Sequence, residues 1–430
     1  MKYFVYALLL FAVHAANGQD SLTIRIADTL SQEPIAAANI SFNSSNLIYT
    51  SNAGGEITIR LTLPAKAEIT CVGYAKRSLL ITSSTRHILL HPAANLLESV
   101  VVSANRTAQK RADAPVAIAT ISKQTIEDTK AQRLDQLLNK VSGVFMVNLG
   151  NEQHEMSIRQ PMTTKSLFLY MEDGIPIRTT GVYNHNALLE MNLPAAKSIE
   201  VIKGPSSALY GSEAIGGAVN VITQSAPVFT AGSVSVQAND KGYKRTDAQI
   251  GTTVGKLGVL VSGYYADKKN GPIEFTDFNK KAITIRTDYR ASNQTNWSNT
   301  LAYVDYYSQM TGSIDSVRFF QKNYSTQQTF TYRKVSAVRY KSQLTHDWNA
   351  NSSTNVAFMY RDNSVGQNPA YSIASTSNPY KFRGQINENA FKTYALFVTH
   401  TQKFSWLDSK VISGASLDFS PQNYYAKFIS

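Results

Sequence analysis

From about residue 228 onward, apolar and polar side chains alternate in segments of roughly ten residues. Val234, Val236 and Ala238 share one face, while Ser233, Ser235, Gln237 and Asn239 share the other. Ala248, Ile250, Thr252 and Val254 repeat the scheme, as do Val259-Val261-Gly263-Tyr265, Val356-Phe358-Tyr360, Tyr394-Leu396-Val398 and Val411-Ser413-Ala415-Leu417-Phe419. A period of two predicts strands. Taken alone, the pattern fits a membrane barrel with a lipid-facing apolar side and a wet interior. It fits a soluble sandwich or propeller equally well.

Upstream the texture differs. Leu22, Ile24 and Ile26 alternate with polar neighbours before a turn at Asp28-Thr29, and Ile35–Phe42, Ile57–Leu63, Ile69–Val72 and Ile88–Leu90 supply further short strands. Asn52-Ala53-Gly54-Gly55 marks a hairpin turn. The spacing predicts a small β-sandwich over 19–94. Residues 114–226 mix both periods. Ile126, Leu134, Leu137 and Leu138 suit an amphipathic helix or two short helices ending near Gly143. Strands are expected at Val144–Val147, Met156–Arg159, Leu167–Met171, Ile199–Ile202 and Val219–Ile222, with a turn at Glu172-Asp173-Gly174.

The first 18 residues read as an export signal: Lys2, an apolar run from Phe4 to Val13, and small residues at Ala16-Asn17-Gly18. No later run of about 18 apolar residues predicts a helical membrane span. Cys71 is the only cysteine, so no internal disulfide forms, and a packed thiol is the expected role. The 42 basic residues exceed the 30 acidic ones, but they are spread out rather than concentrated on one face. The densest cluster, Arg106 to Arg111, lies in a linker, so nucleic acid is not the expected partner. Anionic lipid headgroups or ligands fit the excess better.

No catalytic constellation emerges. His154, His185, His346 and His400 are scattered, and no metal-ligand spacing or P-loop ending follows Gly211, Gly216 and Gly217. Neither an enzyme nor a cofactor is expected.

The run Ser198-Ile199-Glu200-Val201-Ile202-Lys203-Gly204-Pro205-Ser206-Ser207-Ala208-Leu209-Tyr210-Gly211-Ser212-Glu213-Ala214-Ile215-Gly216-Gly217-Ala218-Val219-Asn220-Val221-Ile222-Thr223 resembles the closing segment of the plug in TonB-dependent outer-membrane receptors. Leu137-Leu138 with Val141-Ser142-Gly143-Val144, Ile158-Arg159 and Tyr170-Met171-Glu172-Asp173-Gly174-Ile175-Pro176 extend the likeness over nearly the whole plug. Gln160 departs from the family, which has glycine after the arginine. The front unit is similar to the carboxypeptidase-regulatory-like domain of Bacteroidetes receptors, through Ile26-Ala27-Asp28, Glu33-Pro34-Ile35, Ala38-Asn39-Ile40, Gly54-Gly55-Glu56-Ile57 and Val72-Gly73-Tyr74.

The resemblance implies a mainly β protein of the cell outer membrane: an N-terminal β-sandwich, an α+β plug and the first part of a transmembrane antiparallel β-barrel. Together with the export signal it decides for the barrel over 227–430. It implies energised uptake of a large scarce solute, with a ferric siderophore or similar metal chelate as first choice. Glycan or cobalamin import is the alternative, as is a non-transporting adhesin or signalling receptor. The implied partners are the TonB-ExbB-ExbD energising complex, a small-molecule chelate and outer-membrane lipid. Within the 95–113 linker, Glu98, Ser99, Val100, Val101, Val102, Ser103 and Ala104 fit a TonB box, a strand that pairs with a partner's sheet edge. By periodicity alone, Val100–Val102 would end the sandwich.

Structural or gating roles are implied for Arg159, Asp173, Gly174, Glu200, Gly204, Pro205, Tyr210, Gly211, Gly216 and Gly217. Arg159 is expected to pair with barrel carboxylates, and the glycines to allow close approach where plug meets wall. His154, Arg178, Tyr183 and His185 lie on outward loops able to bind a ligand, although such loops need none. A plugged transporter has about 22 strands, and the residues after the plug suffice for about eight to ten. A fragment or an early-ending reading frame is therefore expected.

Overall fold

The computed structural model describes residues 21–42, 45–92, 100–101, 109–111, 114–150, 152–163, 165, 167–177, 188–211, 213–311, 314–325, 331–368, 384–406 and 409–429. The chain divides into two units, Met1–Thr29 with Pro34–Ala94 and Leu30–Glu33 with Asn95–Ser430.

In the first unit, β1 (Leu22–Asp28) lies between β4 (Glu56–Ile59) and β7 (His87–Leu90). A second sheet runs β3 (Ser45–Thr50), β2 (Asn39–Phe42), β5 (Ala65–Thr70) and β6 (Arg77–Ile81). Alternation sends Ile24, Ile26, Ile40, Phe42, Ile57, Ile69 and Ile88 inward to one apolar core, as the period-two reading predicts. Cys71 packs partly buried against that core, and burial raises its thiol pKa, which keeps it protonated.

The second unit begins with a two-residue pairing, β8 (Val100–Val101) against β9 (Gln109–Lys110). Next, β10 (Ile118–Ser122) leads into α1 (Lys123–Thr129), whose first turn is capped by Ser122 Oγ accepting from the Thr125 amide at 3.2 Å. Lys130 takes a left-handed conformation (φ 49°) and separates α1 from α2 (Asp135–Leu138). Two short helices therefore stand where the periodicity left one or two open. They are followed by the hairpin β11 (Val144–Asn148) and β12 (His154–Ile158), then by β13 (Phe168–Glu172), β14 (Ile175–Pro176), β15 (Ala196–Ile202), α3 (Ser207–Tyr210) and β16 (Gly217–Thr223).

Strands β10, β15, β16, β13 and β14 form one mixed sheet in that order, with β13 parallel to β16. Leu137, Leu138, Val144, Met146, Met156, Phe168, Ile199, Val201 and Val219 are buried together beneath it. This domain therefore has a core of its own, which bears on how it can move as a body.

After the plug-like domain the chain forms long antiparallel strands: β17 (Ala231–Ala238), β18 (Tyr243–Val254), β19 (Leu257–Lys268), β20 (Phe278–Arg290), β21 (Thr295–Gln309), β22 (Tyr332–Asn349), β23 (Ser352–Asn368), β24 (Gly384–Lys403), β25 (Lys410–Phe419) and β26 (Gln422–Ile429). Strands β25 and β26 continue one register along β24, from Lys403↔Lys410 to Gly384↔Ile429. Pro421 divides them: its carbonyl accepts from the Lys392 amide at 3.1 Å, but it has no N–H to return the bond. The ten described strands thus make nine crossings. Connections at one end are short (255–256, 291–294, 350–351, 404–409), and at the other they reach 269–277, 310–331 and 369–383. Val234, Ile250, Ile283, Ile285, Leu301, Val338, Leu344, Phe358, Leu396 and Val398 are exposed on one face of this sheet. Among the described residues no helix is long and apolar enough to cross a membrane.

Candidate functional site: a polar seam between plug and wall

The inner face of the long sheet is strongly basic. On β22, alternation buries Arg333, Val335, Ala337, Arg339 and Lys341 while Lys334 and Val338 point out. The same parity brings Lys280 and Arg286 inward on β20 and Arg361 inward on β23. Arg339 and Arg361 are direct partners across the ladder. Like charges so placed repel unless an anion bridges them.

The plug-like domain supplies the anions. Glu190 accepts from Arg339 Nη1 at 3.1 Å, from Arg361 Nε at 3.0 Å and from Asn363 Nδ2 at 2.5 Å, and it pairs with Arg361 Nη2 as well. Glu172 pairs with Arg339, and its other oxygen lies 3.9 Å from Lys341 Nζ. Asp173 pairs with Lys341 and stands 3.9 Å from Arg286 Nη1. Glu152 meets Lys280 at 2.5 Å. Bonds to neutral acceptors fill the seam: Asn192 Nδ2 donates to Ser262 O (3.1 Å) and Thr284 Oγ1 (2.9 Å), Arg286 Nη1 donates to Thr223 O (3.1 Å), and Arg245 Nη1 donates to Ala131 O (3.2 Å).

Local structure aims these acids. The β13–β14 hairpin turns through Asp173 (φ 51°) and Gly174 (φ 76°). Glycine takes such a φ at no steric cost, and aspartate tolerates it better than most residues. The turn is pinned to β16, with the Thr223 amide donating to Asp173 Oδ1 at 2.7 Å and the Gly174 amide donating to Asn220 Oδ1 at 3.0 Å. Burial would raise the Asp173 pKa, but Lys341 and Arg286 outweigh it and hold the carboxyl below its ordinary value.

The other residues singled out by sequence fall in three places. Arg159 (φ 56°) lies exposed on the domain surface, and among the described residues it pairs with no carboxylate. Glu200 is buried on β15 opposite Asn220, and Tyr210 is buried at the end of α3. Gly204 (φ 151°), Pro205 and Gly211 (φ 93°) frame that helix.

Gly216 and Gly217 do allow close approach, but inside the plug-like domain rather than against the wall. A Cβ on Gly216 would meet the Gln160 side chain and Phe168, and one on Gly217 would lie 2.4 Å from Ile202 O. Gln160, the residue that departs from the family pattern, thus occupies the space beside Gly216. His154 is likewise no outward ligand: its Nε2 lies 2.8 Å from the Tyr170 hydroxyl in the buried core. Arg178, Tyr183 and His185 lie outside the described residues, as do Glu98, Ser99, Val102, Ser103 and Ala104.

Glu190, Lys280, Arg286, Arg339, Lys341 and Arg361 were not picked out by sequence, and Glu152 was read only as part of a ligand-facing loop, not as a partner of the wall. Arg333, Arg339 and Lys341 share one parity in a strand whose opposite parity carries Val338 and Tyr340. That is a legible sign of charge on the interior face.

Comparison with known proteins fits this geometry. Residues 110–218 match the model of the TonB-dependent receptor plug domain. The chain carries a TonB-dependent receptor plug joined to part of a barrel wall. That family is non-enzymatic and resides in the outer membrane. The vitamin B12 transporter BtuB of Vibrio vulnificus is 34% identical over 166 residues, covering 38% of this chain and 27% of that protein. BtuB of Vibrio cholerae is 31% identical over 165 residues, covering 38% and 26%.

Among solved structures, the pyoverdine outer-membrane receptor FpvA of Pseudomonas aeruginosa aligns with a TM-score of 0.64 at 16% identity, over 77% of this chain and 50% of that one. BauA, the ferric preacinetobactin receptor of Acinetobacter baumannii, gives 0.63 at 13% identity, over 79% and 52%. These likenesses show the fold. The chain spans about a quarter of the curated relatives it matches and about half of these solved chains.

Proposed function

We propose that the full-length protein is a gated importer that takes up a large, scarce solute across the outer membrane. The observation that carries this reading is the seam: a domain with its own apolar core, held to a barrel-like wall by a dense set of charged and polar contacts, with two smaller apolar patches around Leu189 and Ile175. Such contacts can be exchanged for water when the stopper shifts, whereas an apolar interface would resist wetting. The outer membrane has no ATP, so the pull comes from an inner-membrane partner of the TonB-ExbB-ExbD type, through strand pairing with residues 98–104. Residues 19–94 are read as a carboxypeptidase-regulatory-like module of the Bacteroidetes kind.

A ferric siderophore or related metal chelate is the first cargo choice. A cobalamin is the second, favoured by the 34% identity to a protein named as a vitamin B12 transporter. Uptake of radiolabelled ferric chelate and of labelled cyanocobalamin, with and without residues 98–104, tests the reading. The deletion should abolish energised uptake and leave surface binding intact. Undiminished energised uptake in the deletion refutes the mechanism.

A further inference from the structure

Lys280 lies at the third position of β20 counted from the long 269–277 connection, on the inner face of the wall. Its side chain is only 8% exposed, and a built environment surrounds it. The Tyr264 phenol lies against the ammonium, the Tyr306 ring centre is 5.9 Å away, and Arg245 covers the Tyr264 ring at 4.4 Å. A buried ammonium beside aromatic faces demands a carboxylate. Glu152 supplies it at 2.5 Å.

Glu152 differs from the other plug acids in how it is held. Glu172, Asp173 and Glu190 each engage two or more wall groups from strands, turns or pinned segments. Glu152 sits at the tip of a loop, at φ 60° next to Gly150 at φ 101°, and among the described residues Lys280 is its one wall partner. The loop closes mainly on itself, through the Leu149 amide to Gln153 O (2.8 Å) and the Gly150 amide to Asn148 Oδ1 (2.7 Å). Removing Glu152 without replacement would strand a buried cation. Exchanging it for another carboxylate would keep the charge balance and cost far less.

We propose that Lys280, Tyr264 and Tyr306 form a carboxylate-binding site facing the long-loop end of the wall. Glu152 fills the site in the closed plug, and a carboxylate-bearing solute arriving from that end takes its place. A residual cavity of about 20 Å³ beside Glu152, Arg245, Tyr264 and Lys280 has room for about one water, so an incoming carboxylate has to take the space that the Glu152 carboxylate leaves. The exchange would free the 149–153 loop, which continues directly into β11 and β12, and so loosen the plug from its outward side. The arrival of a solute rests on the import reading above, but the site itself is testable without transport.

Glu152→Ala removes the atoms of acetate, so acetate should restore what it loses. In the full-length protein, hydrogen exchange of amides in 148–154 should rise about tenfold in the variant and return saturably toward the wild-type rate with sodium acetate, but not with equal sodium chloride. Glu152→Ser leaves the same vacancy and should respond alike, which guards against a folding defect of one variant. Adding Lys280→Met should abolish the acetate response. No response to acetate, an equal response to chloride, or a response that survives Lys280→Met overturns the site. None of these outcomes depends on whether energised uptake occurs.

Discussion

Glu190 is the most heavily engaged acid in the seam, and its replacement puts a number on plug docking. Its carboxylate bridges Arg339 and Arg361, two cross-strand neighbours whose side chains are 6% and 0% exposed. Without it those guanidiniums face each other across the ladder. Breaking a buried ion pair from one side costs about 3–5 kcal/mol. The lower end applies if Arg339 keeps its bond to Glu172. At about 1.4 kcal/mol per factor of ten, Glu190→Ala should favour local release of the plug by about 140- to 4,000-fold. Glu190→Gln keeps an acceptor but not the charge, and should lose about half the energy, since a charge-assisted bond contributes about 1.5–3 kcal/mol.

The assay is hydrogen exchange of amides in 188–196, with the 199–202 amides of β15, which is paired on both sides, as an internal control for the plug's own core. Acceleration of less than about threefold in Glu190→Ala would refute the claim that this bridge holds the plug. Equal effects of Ala and Gln would show that the charge alone, and not the shape of the side chain, carries the bridge. Adding Arg361→Met to Glu190→Ala should recover part of the loss, because the stranded cation leaves with it.

The seam should also respond to acid and to crowding at glycine. The folded pKa of Asp173 is depressed by Lys341 and Arg286, against the opposing pull of burial, so its contribution is complete above the unfolded value of about 3.9 and is lost as pH falls through the lower folded value. Exchange of amides in 171–176 should therefore stay flat from neutral pH to about 4, after correction for intrinsic rates, and rise below it; Asp173→Asn should remove that acid step. Gly217→Ala places a Cβ 2.4 Å from Ile202 O at φ 154°, so it should destabilise the plug by about 1–3 kcal/mol or more, read as a lower denaturant midpoint for the domain. An unchanged midpoint would mean that the β15–β16 contact relaxes freely. Loss of uptake on deleting 98–104 completes the set.

Much of the fold is written in short-range patterns. The sandwich strands, the β13–β14 turn and the outward parity of Val259, Val261, Phe358 and Leu396 follow from period two and from glycine or aspartate at positive φ. The break between α1 and α2 was less legible, because it depends on Lys130 in a left-handed conformation, which composition does not announce. The seam was legible only on one side. Asp173 and Gly174 stood out through motif, whereas Glu152 sits in a stretch that looks like an ordinary polar loop and Glu190 is a lone acid among Leu188, Leu189, Met191 and Leu193. Their significance comes from Lys280, Arg339 and Arg361, more than 100 residues away in the chain. A partner set by barrel register cannot be read until the register is known. His154 shows the converse: a loop-like neighbourhood suggested exposure, but the β11–β12 hairpin folds the ring beneath Tyr170.

On the import reading, the division of forces would let one stopper be both tight and releasable. Inside the plug, Leu137, Leu138, Ile199, Val201 and Val219 are fully or nearly fully buried, and opening them would expose apolar surface at about 25 cal/mol per Å². At the wall, apart from small apolar patches at Leu189 and Ile175, the attachments are discrete ion pairs whose groups regain water when separated, so each gives up far less than its vacuum strength. A pull on the N-terminal side of the plug would reach β10 first, and β10 lies at the edge of the five-stranded sheet, paired on one side only with β15. Force applied there peels one five-residue ladder before it meets the core. The ion pairs of Glu172, Asp173 and Glu190 sit on later elements, so they resist as a group until the sheet itself turns. A gate built this way should open in two stages, with β10 leaving first and the charged seam second. Hydrogen exchange under load should place the 118–122 amides ahead of those in 188–196; the reverse order would mean that the seam, and not the sheet edge, is where opening begins.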